Sequence, residues 1–124
     1  MKAPVITHDA PAAIGPYSQA IRDGDLIFVS GQLPIDPATG QFPSEEIKEQ
    51  TRMSLENVKH ILAQEGYDMS RVVKTTVLLK DIADFTEMNE VYKLYFSEPY
   101  PARSAFQVAA LPKNARIEIE VIAK

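Results

Sequence analysis

The chain has 124 residues, about the size of one domain, and we expect residues 1–124 to form a single domain. A net charge of −4 disfavours binding to a phosphate backbone, and the lack of cysteine excludes disulfides, thiolate catalysis and sulfur-ligated metals. No apolar run could cross a membrane and no signal-peptide core opens the chain, so we expect a cytoplasmic protein without a membrane partner.

The N-terminal quarter reads as an irregular segment followed by a hairpin. Residues 1–16 contain three prolines and predict an extended, irregular segment with a turn at Gly15-Pro16. Residues 17–22 and 26–30 predict two strands, because Asp23-Gly24-Asp25 between apolar runs is typical of a hairpin turn.

Two helices and a strand are predicted in the middle of the chain. Ser44 is the expected N-cap of the first helix, and Gly66 marks its end. Residues 72–79 are rich in β-branched side chains and predict a strand. Asp84 and Glu87 resemble a capping box at the start of the second helix. Its expected apolar stripe, which Pro99 closes, consists of Met88, Val91, Tyr92, Tyr95 and Phe96.

Residues 103–108 and 115–122 predict the last two strands, which completes the order β-β-α-β-α-β-β. This order favours an α+β fold in which two helices pack on one face of a mixed sheet. Strand alternation leaves Phe28 and Phe106 on the other face, which is too apolar to stay in water. We therefore expect another subunit to cover it.

Arg103 is the strongest chemical group in the last quarter of the chain. It precedes an apolar run, and a guanidinium in such a setting favours a carboxylate, from the protein or from a ligand. In the last predicted strand, Glu118 shares a face with Arg116 and Glu120. Glu120 is interpreted as a solvent-facing residue. We expect this last strand to be central in the sheet and covered on its second face. Glu118 therefore needs a partner or a function, so it could pair with Arg103 or flank a ligand beside it.

Four further residues could line a site, although each has an ordinary structural interpretation as well. Ser30 and Gly31 follow an apolar strand and could bring backbone amides close to an anion, but a plain strand end is the better explanation of these two alone. Tyr17 could donate a hydrogen bond or be a packed aromatic residue, and Asn89 is more simply a helix-surface amide. The two histidines lie in unrelated settings, so no metal site is predicted.

Taken together, these segments resemble the RidA family, also called the YjgF family, over essentially the whole chain. The matching segments are Gly15-Pro16-Tyr17-Ser18-Gln19-Ala20, Phe28-Val29-Ser30-Gly31-Gln32, the helix with Asn89, Pro101-Ala102-Arg103-Ser104, and Leu111-Pro112 through Ile117-Glu118-Ile119. The resemblance implies a chorismate-mutase-like fold and a homotrimer with three clefts between subunits. It also implies 2-imino acid deaminase activity on 2-aminoacrylate and 2-iminobutanoate, without a metal or an organic cofactor.

The resemblance also implies roles for individual residues. Arg103 would clamp the substrate carboxylate and Glu118 would orient or activate water, while Tyr17, Ser30 and Gly31 of the neighbouring subunit would line the cleft. Asn89 is a further expected lining residue. Many family members have cysteine where this chain has Ala105. The backbone carbonyl at that position can still contact the imine nitrogen, so we expect activity to survive.

Two alternatives to the enzyme remain. A non-catalytic trimer that binds keto acids or amino acids in a regulatory role would use the same Arg103 clamp. Glu118 favours the enzyme, because a carboxylate has little use beside an anionic ligand. Action on nucleic acid is the least favoured, because the chain is acidic and has no histidine-based acid/base pair.

Overall fold

A computed structural model describes residues 1–124 as a six-stranded sheet with two helices. The two helices are α1 (Ile47–Ala63) and α2 (Phe85–Tyr92). The strands are β1 (Lys2–Val5), β2 (Ala20–Asp23), β3 (Leu26–Gln32), β4 (Val72–Leu79), β5 (Ala102–Gln107) and β6 (Ile117–Ala123). Neither helix is long and apolar enough to span a bilayer.

The sheet is mixed, as predicted, and has the order β1-β2-β3-β6-β4-β5. β4 and β5 are parallel, while the other neighbouring pairs are antiparallel. β6 therefore lies between β3 and β4, which confirms the expectation that the strand with Glu118 is central.

Both helices pack on one face of the sheet and enclose the core. Alternate residues of β6 are fully buried against them, as are Val77 and Leu79 of β4. The core also contains Met88, Tyr92 and Phe96 of the predicted stripe. The prediction that this helix continues to Pro99 was wrong, because α2 ends at Tyr92 and Phe96 reaches the core from the segment that follows.

The opposite face of the sheet has no covering element in this chain. Phe28 is 44% exposed and Phe106 is 47% exposed, although both are strand residues. The prediction that Phe28 and Phe106 lie on the face away from the helices is thus confirmed. Within one chain, this apolar face is open to solvent.

The prediction that residues 1–16 are irregular was wrong for β1, which pairs with β2. Pro4 lies within this strand, which is possible because β1 is the edge of the sheet and needs no hydrogen bond on its outer side. The next strand also begins later than predicted, at Ala20 rather than at residue 17. Gln19 instead bonds to Thr7 and to neighbouring carbonyls, and so fastens the N-terminal segment to the sheet.

Both predicted N-terminal helix caps were wrong. Ser44 accepts a hydrogen bond from the Glu46 amide in the turn before α1, and the N-cap of α1 is Glu46. Asp84 makes no capping bond, because its carboxylate pairs with the guanidinium of Arg116 at 2.8 Å. The Asp84 side chain, which the sequence pattern assigned to a helix cap, therefore forms a tertiary ion pair instead. The end of α1 near Gly66 is confirmed, since Gly66 follows it with a φ of +75°.

Candidate active site

Arg103 lies on β5, with its side chain on the helix-covered face. Its Nη1 donates a hydrogen bond of 2.7 Å to Asn89 Oδ1 on α2. The guanidinium carbon lies 4.7 Å from the centre of the Tyr92 ring and 5.2 Å from that of Phe85. The group is exposed despite these contacts, so its remaining N–H groups are available to a ligand.

The surroundings of Arg103 form an open cavity of about 520 Å³. Asn89, Tyr92, Lys93, Tyr100 and Pro101 line it together with the arginine. Ala105, two residues after Arg103 on the same face of β5, is opposite Val77 and packs against the core. We call Arg103, Asn89 and Ala105 with this cavity the arginine half-site.

The Glu118 side chain lies on the uncovered face of the sheet, and its carboxylate packs directly over the backbone of Gly31. Any Cβ at position 31 would overlap Glu118 Oε2, so only glycine allows the carboxylate to lie there. Glu118 is half-buried. Burial, and to a smaller extent the negative charge of Glu120, raises the pKa of Glu118 above its ordinary value.

Ser30 directly precedes Gly31, and its hydroxyl connects this end of β3 to the segment that contains Tyr17. Ser30 Oγ donates a hydrogen bond of 2.6 Å to the Ser18 carbonyl, which holds the segment around Tyr17 against the end of β3. The Tyr17 side chain is exposed, and its ring lies close to Gly15. We call Glu118, Gly31, Ser30 and Tyr17 the carboxylate half-site.

The structure does not bring the two half-sites together within one chain. Arg103 is opposite Thr75 on β4, and Glu118 is opposite Leu78 on the same strand. Positions three residues apart on a strand point to opposite faces. The prediction that Glu118 could pair with Arg103 is therefore wrong inside one subunit.

The predicted position of the Arg116 side chain was also wrong. It was predicted to share a face with Glu118 and Glu120, but it precedes β6 and turns towards Asp84 and the Glu45 carbonyl. Glu120 is exposed, as predicted. No group of three or more histidine, aspartate and glutamate side chains is arranged to hold a metal ion.

Sequence reasoning missed the aromatic partners of Arg103. It assigned Tyr92 to the core alone and gave no role to Phe85. The available signal was their spacing, because Phe85, Asn89 and Tyr92 are four and three residues apart and so share one side of a helix. What the pattern could not show is that β5 passes this side of α2.

Comparisons with known proteins agree over nearly the whole chain. A family model described as endoribonuclease L-PSP matches residues 7–124. The chain is 56% identical to the chloroplastic Reactive Intermediate Deaminase A of Arabidopsis thaliana, covering 98% of this chain and 65% of that protein. It is 52% identical to the human 2-iminobutanoate/2-iminopropanoate deaminase, covering 96% of this chain and 87% of the human one.

A solved structure extends the agreement to three dimensions. Escherichia coli TdcF, solved with bound serine, superposes with a TM-score of 0.92 at 46% identity, covering 98% of this chain and 97% of the TdcF chain. This similarity confirms the chorismate-mutase-like α+β fold.

Proposed function

Because this chain belongs to the endoribonuclease L-PSP family, which is the RidA (YjgF) family, we propose that it hydrolyses 2-imino acids and their enamine tautomers to 2-keto acids and ammonia. The expected substrates are 2-aminoacrylate and 2-iminobutanoate. The observation that carries the proposal is the exposed guanidinium of Arg103, held in place by protein contacts while part of its hydrogen-bonding fork stays free.

Arg103 would bind the substrate carboxylate with two parallel hydrogen bonds. Asn89 occupies only one N–H of the guanidinium, so enough donors remain for this clamp. Its amide NH₂ group could also donate to the substrate. The serine bound to the related TdcF carries an α-carboxylate group, which fits such a clamp.

Glu118 would accept a proton from the attacking water, which adds its oxygen to C2 of the protonated imine. Glu118 would then return this proton to the nitrogen of the resulting carbinolamine. As the C–N bond breaks, the hydroxyl proton passes to the Glu118 carboxylate, and ammonia and the 2-keto acid are released. The backbone carbonyl of Ala105 would contact the imine nitrogen. Because β5 is an edge strand, alternate backbone groups along it have no partner in this sheet.

A homotrimer would join the half-sites, with Arg103 of one subunit facing Glu118, Tyr17, Ser30 and Gly31 of the next. Two observations support this assembly. The half-sites lie on opposite faces of one sheet, and the face with Glu118 carries exposed aromatic residues. Closing a cleft between subunits would also exclude bulk water and strengthen the electrostatic contacts inside it.

The alternatives have less support. A ligand-binding trimer would gain nothing from a half-buried carboxylate beside an anionic ligand, whereas a hydrolase needs one. Ribonuclease activity, which the description of the family model names, would require a basic surface, yet the chain has a net charge of −4. His60 contacts the Asp9 carbonyl and belongs to neither half-site. A cytoplasmic location is part of the proposal and fits the absence of cysteine.

The test is a coupled assay in which a serine or threonine dehydratase generates the imine and keto-acid release is followed. We expect acceleration by the wild type and a roughly ten- to hundredfold lower kcat/KM for Arg103→Ala, the range for loss of a charged hydrogen-bonded contact. Arg71→Ala is the matched control, because Arg71 also stacks on a tyrosine, Tyr67, but lies in neither half-site. Equal activity of the two variants would contradict the site, and no acceleration by the wild type would contradict the function.

A further inference from the structure

Two aromatic rings contact the guanidinium of Arg103. Its carbon lies within 6 Å of the ring centres of both Tyr92 and Phe85, the range of a cation–π contact. Asn89 fixes a third point through the hydrogen bond to Nη1. An exposed arginine side chain would otherwise sample many rotamers.

The Tyr92 ring is held in place by neighbours in the core. Its side chain is buried, and its hydroxyl shares a hydrogen bond of 2.8 Å with Thr75 Oγ1. Thr75 is fully buried and lies directly opposite Arg103 in the pairing of β4 with β5. Phe96 packs against the same ring, with 4.6 Å between ring centres. The ring therefore has little freedom to turn, and it joins Arg103 to the sheet residue beside it.

We infer that Tyr92 and Phe85 are positioning residues that hold the Arg103 guanidinium ready for the substrate carboxylate, with Thr75 fixing the Tyr92 ring. The inference rests on the proposed function. Aromatic rings that contact the guanidinium leave its N–H groups available in the plane where a carboxylate binds bidentately. The rings thus reduce the entropy that Arg103 would lose on binding, without touching the substrate carboxylate themselves.

The chain offers a matched control at Tyr67. This tyrosine is 6% exposed, compared with 5% for Tyr92. Its hydroxyl also makes one hydrogen bond, of 2.8 Å to the Asp25 carbonyl, and two arginines, Arg22 and Arg71, lie over its ring. Replacing either tyrosine by leucine therefore removes a similar buried ring, but only Tyr92 contacts Arg103.

The experiment compares Tyr92→Leu, Tyr92→Phe and Tyr67→Leu in the coupled assay and in calorimetric binding of 2-oxobutanoate. We expect Tyr92→Leu to lower kcat/KM and the affinity for 2-oxobutanoate by about five- to twentyfold, as loss of a partly desolvated cation–π contact implies. Tyr92→Phe keeps the ring but loses the hydrogen bond to Thr75, so its loss should be smaller than that of Tyr92→Leu, at about two- to fivefold. Tyr67→Leu should stay within about twofold of the wild type.

A double variant separates positioning from general loss of structure. In an Arg103→Ala background there is no guanidinium to hold, so adding Tyr92→Leu should cause no further loss of activity or affinity. The inference is overturned if Tyr92→Leu matches Tyr67→Leu, or if its loss persists in that background. If Tyr92→Leu does not fold, the half-buried Phe85→Leu takes its place, with a loss expected only when Arg103 is present.

The outcomes also distinguish the two proposals. If the wild type fails to accelerate hydrolysis, the proposed function is wrong, but the binding comparison still decides the role of Tyr92. If the wild type is active and the tyrosine variants are indistinguishable, only the positioning role is wrong.

Discussion

Arg103 and Glu118 lie on the two strands that flank β4, yet their side chains leave the sheet on opposite faces. Arg103 is opposite Thr75, which is buried beneath α2, and Glu118 is opposite Leu78. The two groups to which the proposal assigns carboxylate binding and proton acceptance therefore cannot contact one substrate within a single subunit. In this proposal the cleft exists only where the arginine half-site of one subunit meets the carboxylate half-site of another.

The acid limb of the pH–rate profile should report Glu118. Proton acceptance from water requires the carboxylate form, and burial raises the pKa of Glu118 above 4.5, so kcat/KM should begin to fall at a pH above that value. Glu120→Gln removes the like charge that also raises this pKa, and should shift the limb to lower pH. Measuring kcat/KM from pH 4 to pH 8, with the dehydratase in excess throughout, would check both expectations.

The control for this profile is Glu46→Gln, which removes the same charge from the exposed start of α1 and should not move the limb. The raised pKa has a second consequence for stability. Since the folded state holds the proton more tightly than the unfolded one, the stabilisation is fully present below the ordinary pKa of Glu118. It is lost as the pH rises through the raised pKa. An acid limb unmoved by Glu120→Gln would show that Glu118 is not the group that titrates.

Gly31→Ala should reproduce the kinetic effect of removing Glu118. The new methyl group would overlap the Glu118 carboxylate, whose side chain can turn away, so we expect little loss of stability. The rate should fall at least about tenfold, because a positioned proton acceptor is worth a hundredfold or more in many enzymes. In a Glu118→Ala background the same substitution should cause no further loss of rate. Two independent, additive losses would mean that Gly31 does not act through Glu118.

Phe28→Glu should break the assembly and the activity together. The substitution puts a charge on the uncovered apolar face while both half-sites keep their residues. Light scattering after size-exclusion chromatography should show a trimer for the wild type and a monomer for the variant. Leu94→Glu introduces the same charge at an exposed position after α2, outside that face, and should stay trimeric. A trimeric, active Phe28→Glu protein would contradict the assembly.

Much of the fold could be predicted from local patterns. The strand at Val72–Leu79 was predicted to the residue, because a run of β-branched side chains has few alternatives. The cap at Asp84 could not be predicted, because the local motif competes with a tertiary partner, Arg116. Ser44 closes a turn just before the helix instead of capping it, and a local pattern does not separate these two uses of serine. The edge strand β1 was missed because proline there opposes a strand by local rules and is tolerated only at a sheet edge.

The candidate site was predictable as a set of residues but not as an arrangement. Alternation along the last strand placed Glu118 away from the core, and the structure agrees. Relating it to Arg103 required knowing the register in which β5 and β6 each pair with β4. That pairing, which decides the faces, depends on contacts between segments distant in sequence. The aromatic contacts of Arg103 were missed for the same reason.

The most direct test of the shared cleft is activity complementation between Arg103→Ala and Glu118→Ala, each of which alone should keep only a small fraction of the wild-type activity. The two proteins would be mixed in equal amounts, dissociated and reassembled, and then assayed for imine hydrolysis. If each cleft takes Arg103 from one subunit and Glu118 from the next, about a quarter of the clefts in the mixture should be intact and activity should return accordingly. If both residues act from the same subunit, no mixed trimer contains an intact site, and a mixture as inactive as its components would contradict the account.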